Sequence, residues 1–241
     1  MLGRPNAFMK FFERLTVYQD LTPRSAAMNM AIDEALLEDA TVSSIRFYRW
    51  CSPALSFGYF GRFSDVAGHV SVRDLVRRWT GGGIVFHGDD LTYSIVIPVS
   101  DAAFGESSVS IYEKVHRALA QALNGIGEHA VVAGGVDPGG STVAKQAAVT
   151  ASGYDCFVNP VRADVMIDGR KIAGAAQRRT HRGLLHQGSI QGVELKNGLA
   201  KRFAQELSAN CSERKIDTKV LNRARELAQC KYGTEAWLRK R

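Results

Sequence analysis

Residues 78–94 of this chain read RWTGGGIVFHGDDLTYS, which places an arginine, three glycines, a histidine and two carboxylates in one short stretch. Gly81, Gly82 and Gly83 allow a backbone to approach a ligand closely and to adopt positive φ, and their N–H groups can hold anionic or carbonyl oxygens. No Gly-Lys-Ser/Thr follows, so this is not a Walker A loop, and the spacing is not the GxGxxG of a dinucleotide fold. The same glycines would also serve as a plain bend between strands. Arg78 has two readings, as a holder of a carbonyl or phosphate oxygen or as an ion-pair partner of Asp89 or Asp90. His87 either contacts a ligand or closes the turn between strands. Thr92 and Ser94 alternate with Tyr93, so both hydroxyls fall on one strand face.

A second stretch, 156–190, reads CFVNPVRADVMIDGRKIAGAAQRRTHRGLLHQGSI and carries Cys156 15 residues before Lys171. An ammonium beside a thiol lowers the thiol's pKa, and a neutral lysine can accept its proton, so the pair is suited to nucleophilic chemistry. Each residue also has an inert reading: Cys156 as a buried strand cysteine, Lys171 as a solvated hairpin lysine beside Arg170. His186 reads as structural, packed behind the lysine strand.

The first block is Arg-x-Thr-Gly-Gly-Gly with His87 and Leu91-Thr-Tyr-Ser94. The second is Gly169-Arg-Lys171-Ile-Ala-Gly174-x-Ala-Gln177 with Leu185-His-Gln-Gly188-Ser. Together they resemble the signature of the lipoate-protein ligase and octanoyltransferase superfamily, which includes biotin ligases. The resemblance runs from about Met28 to Trp237. It implies an α+β fold of mixed, mostly antiparallel β-sheets flanked by α-helices. It also implies one catalytic domain over residues 1–241, with a helical C-terminal segment from about residue 197 and no accessory domain. Cys156 matches the active cysteine of the octanoyltransferase branch, and Lys171 the lysine that contacts the acyl carbonyl. Arg78, Gly81, Gly82, Gly83, His87, Thr92, Ser94, Gly174 and Ala175 would then line the acyl site.

The resemblance leaves two enzymatic readings. A transferase takes octanoate from an acyl carrier protein through a cysteine thioester and needs no cofactor. A ligase activates free lipoate with ATP and Mg. Cys156, the Leu-Thr-Tyr-Ser strand and the lack of room for an accessory domain favour the transferase, whereas the third glycine, Gly83, is a ligase trait. In both cases the acceptor would be a lipoyl-domain or glycine-cleavage H-type protein, and the group carried octanoyl or lipoyl. Gly88 and Gly61 stand where the family usually has Asp and Gln. A non-catalytic acyl- or nucleic-acid-binding module is the alternative of another class, and an intact Cys156–Lys171 pair argues against it.

These blocks need a scaffold, and 241 residues can bury a substantial core in one large or two small domains. The 45% hydrophobic and 23% charged residues fit an ordinary soluble globular protein. No apolar run could span a bilayer and the N-terminus lacks a signal-type core, so the expected location is the cytoplasm and no membrane partner is implied. Cys51, Cys156, Cys211 and Cys230 share no CxxC spacing, so no metal or redox pair is expected, and each reads more readily as a small buried hydrophobe than as a nucleophile. The net charge of +7 comes without a nucleic-acid-binding motif, and it suits encounter with an acidic protein.

Ser25 is the expected cap of a helix with Met28, Ala31, Ile32, Ala35 and Leu36 on one face. Strands are predicted over 44–50 and in PALSFGYF, and IVF and LTYSIVI flank the His87–Asp90 turn as two more. Ser108 would cap a helix striped by Ile111, Val115, Ala118, Leu119 and Ala122 and ending near Gly125. Residues 126–153 read as a short strand and a loop. Asp168-Gly169 predicts a type I′ hairpin pairing Met166 with Lys171 and Asp164 with Ala173, which keeps Lys171 off the face of Val165, Ile167 and Ile172. A third strand covers 183–191. The tail reads as helical, with Leu221, Ala224, Leu227 and Ala228 in step.

Overall fold

The computed structural model describes residues 10–134, 161–193 and 198–240. Strand β1 (Leu15–Arg24) leads into helix α1 (Ala26–Asp39), capped by Ser25, whose hydroxyl accepts from the Met28 N–H. The chain then forms β2 (Ser44–Trp50), β3 (Ala54–Phe57), β4 (Asp74–Arg77), β5 (Val85–His87) and β6 (Leu91–Pro98). Next come α2 (Ser108–Asn124), β7 (Ala130–Val132), β8 (Val165–Ile167), β9 (Arg170–Arg179) and β10 (Gly183–Ile190). The remainder forms α3 (Leu199–Leu207), β11 (Cys211–Glu213), α4 (Thr218–Leu227) and α5 (Glu235–Leu238).

Among the described residues eight strands make one mixed sheet in the order β11-β1-β2-β6-β10-β9-β8-β7, and β4-β3-β5 make a second, smaller one. From β2 to β7 every pairing is antiparallel, while β1 runs parallel to β2 and β11. The large sheet separates two apolar layers. On one face Phe47, Tyr93 and Ile95 pack under α2 and α3 through Ile111, Val115, Leu119 and Phe203. On the other Tyr48, Val96 and Leu185 pack under α1 and α4 through Ala31, Leu36 and Ala224. This is the expected α+β class.

Several local expectations are corrected. Helix α1 presents more than an apolar face: every residue from Asn29 to Leu37 is buried, and the polar ones are hydrogen-bonded inside. The cap of α2 is Ser107, whose hydroxyl accepts from Ser110 N–H, one residue before the expected Ser108. The two strands expected around His87–Asp90 are present as β5 and β6, and they lie in different sheets, β5 pairing with β3 and β6 with β2 and β10, so the turn steps from one sheet to the other. The tail contains the edge strand β11 as well as helices. Cys51, Cys211 and Cys230 are exposed rather than buried.

The Asp168-Gly169 hairpin has φ of +49° and +76° at its two turn residues, as a type I′ turn requires. Met166 pairs with Lys171 as predicted, but Val165, not Asp164, pairs with Ala173. One extra residue on β9 makes a β-bulge, and this changes which side chains share a face. Ile172 and Ala173 both enter the core under α2, while Lys171 and Gly174 both turn to the opposite side.

Candidate active site

Side chains of laterally paired residues point to the same face of a sheet. Pairing aligns Gly174 of β9 with Ser189 of β10, Thr92 of β6 and Tyr48 of β2 in one row across four strands. The neighbouring row is Ala176, Gln187, Ser94 and Arg46. A cleft lies over these rows, roofed by Ser56, Val85 and His87 of the small sheet, by Arg78 and Gly82 of the glycine loop, and by Met30 of α1. The space between these walls, its open mouth included, is about 500 Å³.

Lys171 is brought to this cleft by the bulge. Its side chain is 5% exposed, and its Nζ lies 2.8 Å from Oδ2 of the fully buried Asp164. Asp164 is itself fixed, accepting from Tyr112 OH at 2.6 Å and from Val161 N–H at 2.7 Å. The Tyr112 oxygen in turn accepts from the Ala175 N–H at 3.0 Å, and burial together with Asp164 raises the Tyr112 pKa, keeping it a proton donor. Lys171 is therefore not a solvated hairpin lysine. It lies across Gly174, where a Cβ would stand 2.6 Å from its Cε.

The glycine loop and the His87 turn form the other wall. Gly82 has φ +86°, and its carbonyl leaves no room at Gly58, where a Cβ would meet it at 2.0 Å. Arg78 donates to the Gly81 and Gly83 carbonyls and to Ser56 Oγ, so it holds the loop from inside. His87 Nδ1 faces Asp90 Oδ2 at 2.8 Å and Nε2 faces Ser56 Oγ at 2.7 Å, while Trp50 stacks on the ring at 4.0 Å. Burial lowers the His87 pKa against the pull of Asp90, so the imidazole is neutral near pH 7. Burial would raise the Asp90 pKa, but hydrogen bonds from His87, Ser189 and the Gly88 N–H hold it below the usual value. Thr92 Oγ1 also donates to Asp90 and accepts from Trp50 Nε1. The side-chain polar groups of Ser56, His87, Thr92 and Ser189 are thus hydrogen-bonded within the protein, and most of the surface lining the cleft is carbon.

Of the residues expected at a ligand, Arg78, Gly82, His87, Thr92, Lys171, Gly174 and Ala175 line the cleft together. Ser94 is drawn under α1 instead, where its hydroxyl donates to Asp33 at 2.7 Å. Gly83 flanks a neighbouring hollow with Phe57, Phe60 and Arg62, and Gly81 is held by its carbonyl on Arg78. Cys156 lies outside the described residues. His186 sits behind the sheet, fully buried beside Gln177 and Tyr93, as the structural reading expected.

Residues 25–228 match the family of lipoyl protein ligase A/B catalytic domains. The chain belongs to this family. Among named relatives, an octanoyltransferase LipM of Oceanobacillus iheyensis is 36% identical over 177 residues, covering 70% of this chain and 61% of that protein. The LipM of Moorella thermoacetica is 35% identical over 170 residues, 67% of this chain and 59% of that protein. The chain thus spans about three fifths of the curated relatives it matches. A solved lipoate-protein ligase A bound with ATP superposes with a TM-score of 0.70 at 23% identity, over 94% of this chain and 98% of that one, so the fold is shared.

Within this lipoyl ligase A/B domain, sequence reasoning passed over Ser56, Asp164, Tyr112, Gln187 and Gly58. Gln187 bridges Thr80 at the start of the glycine loop and Asp33 of α1. Two left a trace in the sequence: Gly58 as a glycine directly after a strand, and Gln187 as a member of the second block with no role attached. The others are revealed by pairing register and by contacts across long stretches of chain.

Proposed function

We propose that this domain is an octanoyltransferase of protein lipoylation, passing a medium-chain acyl group through Cys156 to a lysine of a lipoyl-domain or H-type protein. The observation that carries the reading is the buried Lys171, held by Asp164 against Gly174 at the edge of a carbon-faced cleft. The names of the LipM relatives support the same reading. In the first step the Cys156 thiolate attacks the thioester carbonyl of an acyl carrier protein. The donor's C–S bond breaks and its thiolate leaves with the proton that the Cys156 thiol gave up. In the second step the acceptor amine attacks the Cys156 thioester, losing a proton as Cys156 regains one. Lys171 stabilises the oxyanion in both steps. The thioester already carries the activation, so neither ATP nor Mg takes part, and a basic surface suits acidic protein partners in the cytoplasm.

The test is the mass of the full chain after incubation with octanoyl-acyl carrier protein without nucleotide. It should gain one octanoyl group that hydroxylamine removes. Cys156→Ser should lose this adduct and onward transfer, whereas serine at Cys51, Cys211 or Cys230 should not. A Cys156→Ser variant that joins free lipoate to the lipoyl domain with ATP would overturn the transferase and establish a ligase.

A further inference from the structure

The cleft contains a second constellation that the transfer reaction does not use. Asp90 Oδ2, the His87 ring and Ser56 Oγ form an unbroken chain, with 2.8 Å between Asp90 and Nδ1 and 2.7 Å between Nε2 and Ser56. Carboxylate, imidazole and hydroxyl stand in the order that activates a nucleophilic serine. The three residues are 4%, 5% and 1% exposed, so the chain is shielded from bulk water, yet Ser56 and His87 face the same cleft as Lys171. Asp90 facing Nδ1 selects the tautomer with its proton there, leaving the Nε2 lone pair for the serine hydroxyl. Burial keeps that imidazole neutral and able to accept a proton. The Trp50 ring fixes the orientation of the imidazole. Arg78 Nη1 donates to Ser56 Oγ at 2.8 Å, placing a cation where negative charge would grow on the serine oxygen and the acyl carbonyl.

We propose that Ser56 is a second acyl-accepting nucleophile, and that the cleft hydrolyses medium-chain acyl esters and thioesters by a Ser56–His87–Asp90 route independent of Cys156. Ser56 Oγ attacks the acyl carbonyl as its proton passes to His87 Nε2. The C–S or C–O bond to the leaving group then breaks, and the leaving thiolate or alkoxide takes that proton. Water attacks the Ser56 ester, giving one proton to His87. The fatty acid departs as Ser56 regains its hydrogen, so the sum is ester plus water to acid plus thiol or alcohol. The substrate class rests on the reading of the cleft as an acyl site.

A fluorophosphonate, which phosphonylates activated serines, separates this route from reactions of the exposed thiols. Full-length Cys156→Ala should take up one phosphonate, peptide mapping should place it on Ser56, and the variant should hydrolyse 4-nitrophenyl octanoate. Adding His87→Gln should reduce both by at least a hundredfold. In parallel, calorimetry on Cys156→Ala with octanamide reports whether the cleft holds an octanoyl chain. Octanamide binding without any adduct on Ser56 overturns the hydrolase and leaves the acyl site standing. Absence of both overturns the acyl reading and the hydrolase with it. The mapping requires no Ser56 variant to fold.

Discussion

Replacing Gly174 with alanine should disable Lys171 without altering it. The added methyl would stand 2.6 Å from Lys171 Cε, 2.7 Å from Nζ and 3.3 Å from Asp164 Oδ1. Non-bonded carbons settle ~3.5–4.0 Å apart, so the end of the lysine must retreat by about 1 Å. What gives way is the tip of a flexible side chain, so the sheet should survive. The ammonium, however, leaves the point fixed by Asp164. A displacement of about 1 Å in a positioned group costs on the order of a hundredfold in rate, or about 2.7 kcal/mol of transition-state stabilisation. The assay is single-turnover transfer of octanoate from carrier protein to a lipoyl domain, with thermal melting as the control for folding. We expect a fall of about a hundredfold in rate, with the melting temperature within a few degrees of the parent. A rate within about threefold of the parent would show that the position of Lys171 does not govern transfer, and the assignment would fail.

Lys171→Ala should abolish transfer and also destabilise the fold by about 3–5 kcal/mol, because Asp164 is left buried without its cation. Urea unfolding should show part of that loss restored by Asp164→Asn in the same chain, with transfer still absent; equal stability of the parent and Lys171→Ala would refute the pairing. Gly82→Val puts a β-branched residue at φ +86°, with strain of about 1–3 kcal/mol, and should lose octanamide binding by calorimetry. Gly81→Ala, whose new methyl meets nothing within 4 Å, should bind normally. The buried histidines set an acid limit. Burial depresses His87, His186 and His116, the last to about 4, so between ordinary and folded values the unfolded chain binds more protons. Stability should hold above about pH 6.5 and fall as pH drops towards 4, by on the order of 3 kcal/mol for His116 alone. Unfolding midpoints at neutral and acid pH should reveal this slope, and His116→Asn should flatten it.

The sequence speaks clearly where a local rule decides. The Asp168-Gly169 turn needs positive φ at both residues, and Ser25 sits where a helix needs an acceptor. It is silent where the deciding contact is distant or polar. β1 carries Asp20 towards the core to meet Arg46, so its burial leaves no apolar alternation to read. β11 is exposed along its length and is a strand only because β1 lies beside it. The glycine loop and Lys171 stand out as candidate site residues through the family resemblance of their two blocks, since residue type alone leaves the glycines a bend and Lys171 a solvated hairpin lysine. The β-bulge that turns Lys171 to the cleft does not stand out, since nothing in RKIAGAAQ distinguishes a regular ladder from one with an extra residue. Asp164 and Ser56 look ordinary until the ladders bring them to their partners.

Arg77 ties the order of synthesis to the completion of the site. This cation is 1% exposed. It makes five hydrogen bonds to main-chain carbonyls, of Tyr59 and Gly61 nearby and of Trp237 and Leu238 some 160 positions on. Trp237 returns one from its indole N–H to the Arg77 carbonyl. While residues 237–238 are still within the ribosome, the guanidinium next to Arg78 and the glycine loop has only half its acceptors. Burying it in that state is costly. The small sheet that roofs the cleft can therefore settle only after Leu238 has left the ribosome, and a nascent chain stalled before that point should hold the loop open, with the large sheet's inner strands already paired.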